Sequence, residues 1–176
     1  MRYKKFTGIV LKKQNYREAD QIVTIWTEEL GKLRCLARGI RKPSSKLVYN
    51  LQNFSLVSFE VSGRHLPVLT SCQTLQNFRL LYHDLGKIAA GCYAAELMLK
   101  LTADEHPNPK AYELLHKFFE HSDKDRLSIF CSELLEALGF SSKTSSAKLD
   151  FQELNQLIEE ILERKLKSSA FLRQIA

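Results

Sequence analysis

The hydrophobic period of this chain changes near residue 80, and this change limits the possible folds more than any other feature of the sequence. Before that point, apolar residues alternate with polar ones in short runs rich in β-branched and aromatic residues, which is typical of half-buried strands. From His83 onward, apolar residues recur every three or four positions, as in amphipathic helices. The sequence therefore predicts an α+β chain with a β-domain over residues 1–80 and an all-helical domain over residues 81–176.

The charge of the chain divides at the same place. Residues 1–80 contain 14 Lys and Arg against 5 Asp and Glu, a net charge of +9, whereas residues 81–176 contain 12 against 15, a net charge of −3. A basic β-domain joined to a nearly neutral helical body is typical of a polyanion-binding module with a structural or protein-binding partner domain. We expect a cytoplasmic protein with no membrane partner, because no apolar run approaches the ~20 residues that span a bilayer.

Five strands are predicted, with a helix at 44–51 between the third and the fourth. The strands are placed at 6–13, 20–27, 32–38, 54–61 and 65–72. This order is that of a five-stranded Greek-key barrel of the OB type. Period-two alternation places six residues inside the barrel: Leu33, Cys35, Ala37, Val57, Phe59 and Val61. The same alternation turns Lys32 and Arg34 outward.

The second half is predicted to contain five helices, at 83–102, 109–120, 124–138, 150–164 and 167–174. The first of these is apolar on a broad surface, so we expect it at the centre of a bundle. Residues 141–148 are rich in Ser and Lys and are interpreted as a polar linker.

Neither a metal site nor a catalytic site is predicted. The sequence has four cysteines, Cys35, Cys72, Cys92 and Cys131, and none of them forms the closely spaced pair that a structural zinc site requires. Gly86 and Gly91 have the spacing of a phosphate-binding loop, but Cys92-Tyr93 follows where Lys-Ser/Thr is needed to reach the phosphates. We therefore expect a protein that is not an enzyme and has no cofactor.

A cluster of cations is the best candidate for a functional site. It comprises Lys32 and Arg34 on the third strand and four residues of the following loop: Arg38, Arg41, Lys42 and Lys46. Such a strand-to-loop cluster suits a sugar-phosphate backbone, because each neutralised phosphate releases a condensed counterion. The alternative is a solvated loop that only maintains solubility, in which case the next cations to consider are Lys4, Lys5, Lys12 and Lys13.

Several aromatic residues are candidates for stacking on bases: Tyr3, Tyr16, Tyr49 and Phe54. Trp26 and Phe59 alternate with polar neighbours and are instead assigned to the core.

Residues Gly8 to Leu47 resemble the N-terminal domain of the bacterial recombination-mediator family RecO. The similarity comprises a Gly-x-Val-Leu strand, a Tyr-x-Glu-x-Asp turn at 16–20, Thr-Glu-Glu-x-Gly at 27–31 and a basic segment at 38–46. It continues through 51–54 and 93–97 and ends at 164–172. Nearly the whole chain is covered, and the first forty residues carry the most specific motifs.

The resemblance implies an OB-fold domain packed on a helical C-terminal domain. It also implies a mediator that binds single- and double-stranded DNA, anneals complementary strands and helps to load recombinase onto DNA coated with single-strand-binding protein. The implied partners are RecR and the acidic, Phe-ending tail of that coat protein, and no nucleotide is hydrolysed. The location would be the cytoplasm, in association with the nucleoid.

The chain departs from this family after Leu138-Gly139-Phe140. Longer members carry an insert there that often holds a four-cysteine zinc site, and here residues 141–148 replace it. The chain is therefore interpreted as a short form without that insert. A second hypothesis, from a different class, is an adaptor whose helical domain binds a protein and whose barrel binds RNA or no nucleic acid.

Overall fold

The computed structural model describes residues 4–121, 126–140 and 149–175. Its first part is a closed barrel of five strands: β1 (Lys4–Tyr16), β2 (Asp20–Thr27), β3 (Gly31–Ala37), β4 (Ser55–Ser62) and β5 (Val68–Asn77). The order around the barrel is β1-β2-β3-β5-β4, and only the β3–β5 pair is parallel. The predicted OB-type barrel followed by helices is confirmed.

The barrel interior follows the predicted alternation. All six residues placed inside are at most 8% exposed, and they pack with Val10, Val23 and Ile25 in one apolar cluster. Lys32 and Arg34 alternate with Leu33 and Cys35 along β3, so their side chains lie on the outer face. The predicted register of β3 and β4 is therefore confirmed.

A single helical turn, α1 (Leu47–Asn50), connects β3 to β4. The prediction of a helix at 44–51 was correct in position but too long. The turn is fixed to β5 because the Asn50 side-chain oxygen accepts bonds from the Thr74 backbone N–H and hydroxyl, each at 3.2 Å. Leu51, which follows the turn, is fully buried in the barrel cluster. Hydrogen bonds and core packing therefore both hold α1 in place.

A later segment, Ala103–Pro107, belongs to the same compact unit as the barrel. The Glu105 N–H donates to the Lys32 carbonyl at 3.0 Å. Gly31 has a φ of 70°, and a Cβ at this position would overlap the His106 carbonyl oxygen. A glycine at the β2–β3 turn therefore satisfies both the left-handed backbone and the close approach of this segment.

The second unit comprises Arg79–Thr102 and Asn108–Ala176. It begins with a 3₁₀ turn (Arg79–Tyr82), and its described residues form the helices α2 (Leu85–Leu101), α3 (Pro109–His121), α4 (Leu127–Ala137), α5 (Phe151–Leu162) and α6 (Lys167–Ile175). Helix α2 packs against α4 and α6, which agrees with the predicted central position. The predicted linker at 141–148 and the first residues of the predicted helix at 124–138 lie outside the described residues.

Carboxylates of two earlier helices hold the N-terminus of α6. Glu96 of α2 accepts bonds from the Lys167 and Ser168 N–H groups and the Ser168 hydroxyl, and it pairs with Lys100 at 2.7 Å. Burial alone would raise the pKa of Glu96, but the bonds from Lys100, Ser168 and Lys167 outweigh it and lower the pKa to about 2. Glu159 of α5 likewise accepts from the Leu166 N–H at 3.0 Å.

Candidate nucleic-acid interface

The basic loop after β3 is attached to the turn between β1 and β2. The Gly39 N–H donates to Asp20 Oδ1 at 2.7 Å, and the Arg41 N–H donates to the Ala19 carbonyl at 3.0 Å. The Arg41 guanidinium also donates to the Glu18 carbonyl at 2.9 Å. Two motifs that are twenty residues apart in sequence therefore form one hydrogen-bonded structure, and the loop has a defined position.

The loop itself folds as successive turns. Gly39 has a φ of 64°, the Lys42 N–H donates to the Gly39 carbonyl, and the Ser45 N–H donates to the Lys42 carbonyl. Three cations project from these turns into solvent: Arg38, Lys42 and Lys46. In the part of the chain that the structure describes, none of the three side chains forms an ion pair. Their positive charge is therefore available to a polyanion.

Lys32 does not add to the exposed positive surface, contrary to the expectation from the sequence. Its side chain is 9% exposed, and its ammonium lies 3.2 Å from Asp104 Oδ1. It does lie on the outer face of β3, but the 103–107 segment covers this part of the face. Lys32 is therefore a buried, paired cation, and the available cluster consists of the other five residues.

Arg34 is exposed and belongs to a row of side chains across three strands. Its cross-strand partner on β2 is Thr24, and the partner of Thr24 on β1 is Lys12, which is also exposed. Directly paired residues share a face of the sheet, so Lys12 and Arg34 project from the same face, about two strand spacings (roughly 10 Å) apart. From the sequence, Lys12 was predicted only as an alternative DNA contact. The register shift between Val10 and Lys12, on which its position depends, is not visible in the residue pattern.

Lys13 points to the other face. It pairs with Val23 of the barrel cluster, and burial lowers the pKa of its ammonium group. It is therefore less suited to a phosphate contact than Lys12.

Two further loops contribute Arg17 and Arg64, two cations that were not predicted from the sequence. Arg17, in the β1–β2 turn, has a φ of 55°, and its guanidinium carbon lies 5.2 Å from the centre of the Tyr16 ring. Arg64 and His65 are exposed in the β4–β5 loop, which is fastened to β3 because the Leu36 N–H donates to the Pro67 carbonyl at 2.8 Å. In OB folds, the β1–β2 and β4–β5 loops contact the ligand. The predicted strand order could therefore have identified the cations of these two loops as candidates.

The candidate stacking residues have different surroundings. Tyr49 is 76% exposed on α1. Tyr16 is partly covered, whereas Phe54 is only 7% exposed, so the prediction of Phe54 as a stacking surface was wrong. Its N–H donates to the Val10 carbonyl at 2.8 Å, which fixes the chain just before β4. Tyr3 lies outside the described residues.

The cysteines are separate from this surface. Burial raises the pKa of both Cys35 and Cys72 to about 12, so their thiols are weak nucleophiles. Among the described residues, no three His, Cys, Asp or Glu side chains are close enough together to hold a metal ion. No helix in the described ranges is long and apolar enough to cross a membrane.

The helical unit has a groove between α3 and α4 with a volume of about 280 Å³. Its apolar surface comes from Leu114, Phe118, Ile129 and Phe130. The Phe118 and Phe130 rings lie 4.8 Å apart, and Ile129 is 55% exposed. Lys117, Arg126 and Glu133 also line the groove. Lys117 is paired with Glu113 at 2.6 Å, so Arg126 is the cation that the groove offers to a ligand, with the Glu133 carboxylate in the same lining.

Two family models match the chain. One is described as "Recombination protein O N terminal" and covers residues 1–78, and the other is described as "Recombination protein O C terminal" and covers residues 82–146. The first matches the barrel strands and the basic loop, and the second matches the first helices of the second unit.

Curated proteins named DNA repair protein RecO are similar to this chain. The protein from Anaeromyxobacter sp. (strain K) is 39% identical over 122 residues, which are 68% of this chain and 48% of that protein. The protein from Nostoc sp. is 41% identical over 114 residues, which are 64% of this chain and 38% of that protein. The protein from Halalkalibacterium halodurans is 31% identical over 150 residues, which are 84% of this chain and 59% of that protein. The chain spans about half the length of the curated relatives it matches.

Proposed function

Since the chain belongs to the recombination protein O family, we propose that it is a recombination mediator in DNA repair that binds single- and double-stranded DNA. It anneals complementary strands and helps to load recombinase onto DNA coated with single-strand-binding protein. It acts without hydrolysing a nucleotide. Its location is the cytoplasm, in association with the nucleoid.

The anchored basic loop is the observation that carries this proposal. Arg38, Lys42 and Lys46 are exposed on a loop that Asp20 and Arg41 hold in place. Each cation that contacts a phosphate releases a condensed counterion, and an ordered loop loses less conformational entropy on binding than a disordered one. The row formed by Lys12 and Arg34 extends the same kind of contact over the outer face of the barrel.

Annealing follows from the same chemistry. Complementary strands repel each other through their phosphates, and a cationic surface that binds phosphates without reading bases lowers this repulsion for any sequence. The cations described above are solvent-exposed side chains on a convex barrel surface, which suits backbone contact with either one strand or a duplex.

Two protein partners are proposed, RecR and the tail of the coat protein. The groove between α3 and α4 is the proposed site for the tail, because an acidic peptide with an aromatic end requires an apolar surface close to a cation. Ile129 and the half-buried Leu114 supply the apolar surface, and Arg126 supplies the charge, so the acidic part of the tail would lie towards Arg126 and away from Glu133.

A titration tests the proposal directly. Fluorescence anisotropy of a labelled single-stranded oligomer is measured at several salt concentrations, and it is repeated with the oligomer coated by single-strand-binding protein. We expect a slope of log affinity against log salt that corresponds to several released counterions. The absence of binding at low salt would refute the proposal and favour an adaptor whose barrel does not bind DNA. Stronger binding to RNA than to DNA would favour the RNA-binding form of that adaptor.

A further inference from the structure

Tyr49 is exposed without a structural reason. Its side chain is 76% exposed, which is more than any other large hydrophobic side chain among the described residues. Within those residues, the Tyr49 hydroxyl group has no hydrogen-bond partner. The other exposed large hydrophobic side chains range from 37% to 62%. Leaving a large aromatic surface in water opposes the hydrophobic effect, so this ring is available to a ligand.

The backbone under Tyr49 is fixed. The next residue, Asn50, bonds to the Thr74 backbone and hydroxyl, and Leu51 is fully buried in the barrel. Leu47, two residues before Tyr49, packs against the same cluster. A ring on such a support loses only its own side-chain freedom when it contacts a ligand, which favours binding.

Tyr49 also follows directly after the basic loop. Lys46 lies three residues earlier, one turn away along α1, where side chains share a face. The chain has no acidic residue between Glu29 and Glu60, so the loop and α1 form a continuous acid-free segment. A nucleotide whose phosphate contacts Lys46 would therefore have its base within reach of an aromatic ring.

We propose that Tyr49 stacks on an unpaired base and thereby makes this surface prefer single-stranded to double-stranded DNA. This inference rests on the proposed DNA-binding function. Every base has an apolar face on which a ring can stack, so the contact is independent of sequence. In a duplex, neighbouring base pairs cover those faces, so the ring has no stacking partner, whereas the phosphates remain accessible to Arg38, Lys42 and Lys46.

The test compares Tyr49→Ala and Tyr49→Phe with the unmodified chain on a single-stranded oligomer and on a duplex of equal length. We expect Tyr49→Ala to weaken single-strand binding about tenfold, within the range of one lost stacking contact, and to leave duplex binding unchanged. The salt slope should not change, because no phosphate contact is removed. Tyr49→Phe should retain the affinity, since the ring and not the hydroxyl makes the contact.

Tyr82→Ala is the matched control, because Tyr82 is 51% exposed and lies in the helical unit. It should bind as the unmodified chain does. Equal loss of single-strand and duplex affinity in Tyr49→Ala, or no loss, would overturn the inference. If the unmodified chain binds neither DNA at low salt, the proposed function fails first. If the unmodified chain binds DNA and Tyr49→Ala binds a single strand equally well, the inference fails while the proposed function stands.

Discussion

Asp20 Oδ1, on the first residue of β2, accepts a hydrogen bond from the Gly39 N–H at 2.7 Å and so connects the start of β2 with the loop after β3. Arg41 reinforces this link through bonds to Ala19 and Glu18. An acidic residue is therefore part of a basic surface, and its role there is to position the loop and not to bind a phosphate.

Asp20→Ala separates positioning from electrostatics. Removing a negative charge near a DNA site should by itself strengthen binding, whereas loss of the bond to Gly39 should disorder the loop and weaken it. We expect several-fold weaker binding by anisotropy and a free energy of unfolding lower by about 1–2 kcal/mol. The control is Glu28→Ala, an exposed carboxylate in the β2–β3 turn, which should bind as well as the unmodified chain or slightly more tightly. Tighter binding by Asp20→Ala would contradict the positioning role.

Replacing Arg38 and Lys42 together by Ala should weaken DNA binding for every sequence. The slope of log affinity against log salt should become shallower by about 1.4, from roughly 0.7 for each lost single-strand contact. The free energy of unfolding should change by no more than about 0.5 kcal/mol, because both side chains are exposed. Arg164→Ala with Lys165→Ala removes the same charge from the helical unit and is the control. If both double variants give the same slope, the loop is not the site.

Arg41→Ala should behave differently from its neighbours. Its guanidinium donates to the Glu18 carbonyl, so removing it should lower the free energy of unfolding by about 1 kcal/mol as well as weakening DNA binding. Chemical denaturation measures the first effect and anisotropy the second. Unchanged stability would indicate that this hydrogen bond does not hold the loop in solution.

Lys32→Ala should reduce stability and leave the salt slope of DNA binding unchanged. The Lys32 side chain is buried beside Asp104, and its removal loses both the ion pair and the packing of its aliphatic stem. We expect a decrease of about 1–3 kcal/mol in the free energy of unfolding. Thermal and urea unfolding measure this effect. A shallower salt slope would return Lys32 to the interface.

Glu96 should make the protein sensitive to acid. Its pKa is lowered from 4.5 to about 2, so the folded chain binds fewer protons than the unfolded chain in this interval. The stabilisation is therefore complete above about pH 4.5 and decreases as the pH falls towards 2. Glu96→Gln should have a lower Tm at pH 7 and a smaller loss of Tm across that interval. Glu28→Gln, at an exposed carboxylate of the β2–β3 turn, is the control. Equal acid sensitivity in all three proteins would contradict this role for Glu96.

The alternation of β3 predicted its inner face correctly but not the exposure of its outer face. Sequence period distinguishes the two sides of a strand, whereas coverage of the outer side depends on distant segments such as 103–107. The same limit applies to Trp26. It is fully buried, as predicted, but it alternates with Ile25 of the core cluster and therefore lies on the outer face.

The basic loop was predicted because its composition alone is distinctive. Its attachment to Asp20 was not, because a bond between residues 19 positions apart depends on strand pairing and loop geometry. Tyr49 and Phe54 were both predicted to be stacking residues, although only Tyr49 is exposed, because they lie close together in a short connection without a clear period. The local residue pattern predicts helices and strands, whereas the burial and the partners of a side chain depend on segments that are distant in sequence.

The excursion of residues 103–107 into the barrel unit has a consequence for unfolding cooperativity. The chain passes between the two compact units three times, after Phe78, after Thr102 and after Pro107. Residues 103–107 are held at both ends by α2 and α3. Unfolding of either helix would therefore loosen the segment that covers Lys32 and lies against Gly31, and the barrel unit would lose stability. Denaturant titrations followed by barrel and helix probes should accordingly coincide in a single transition.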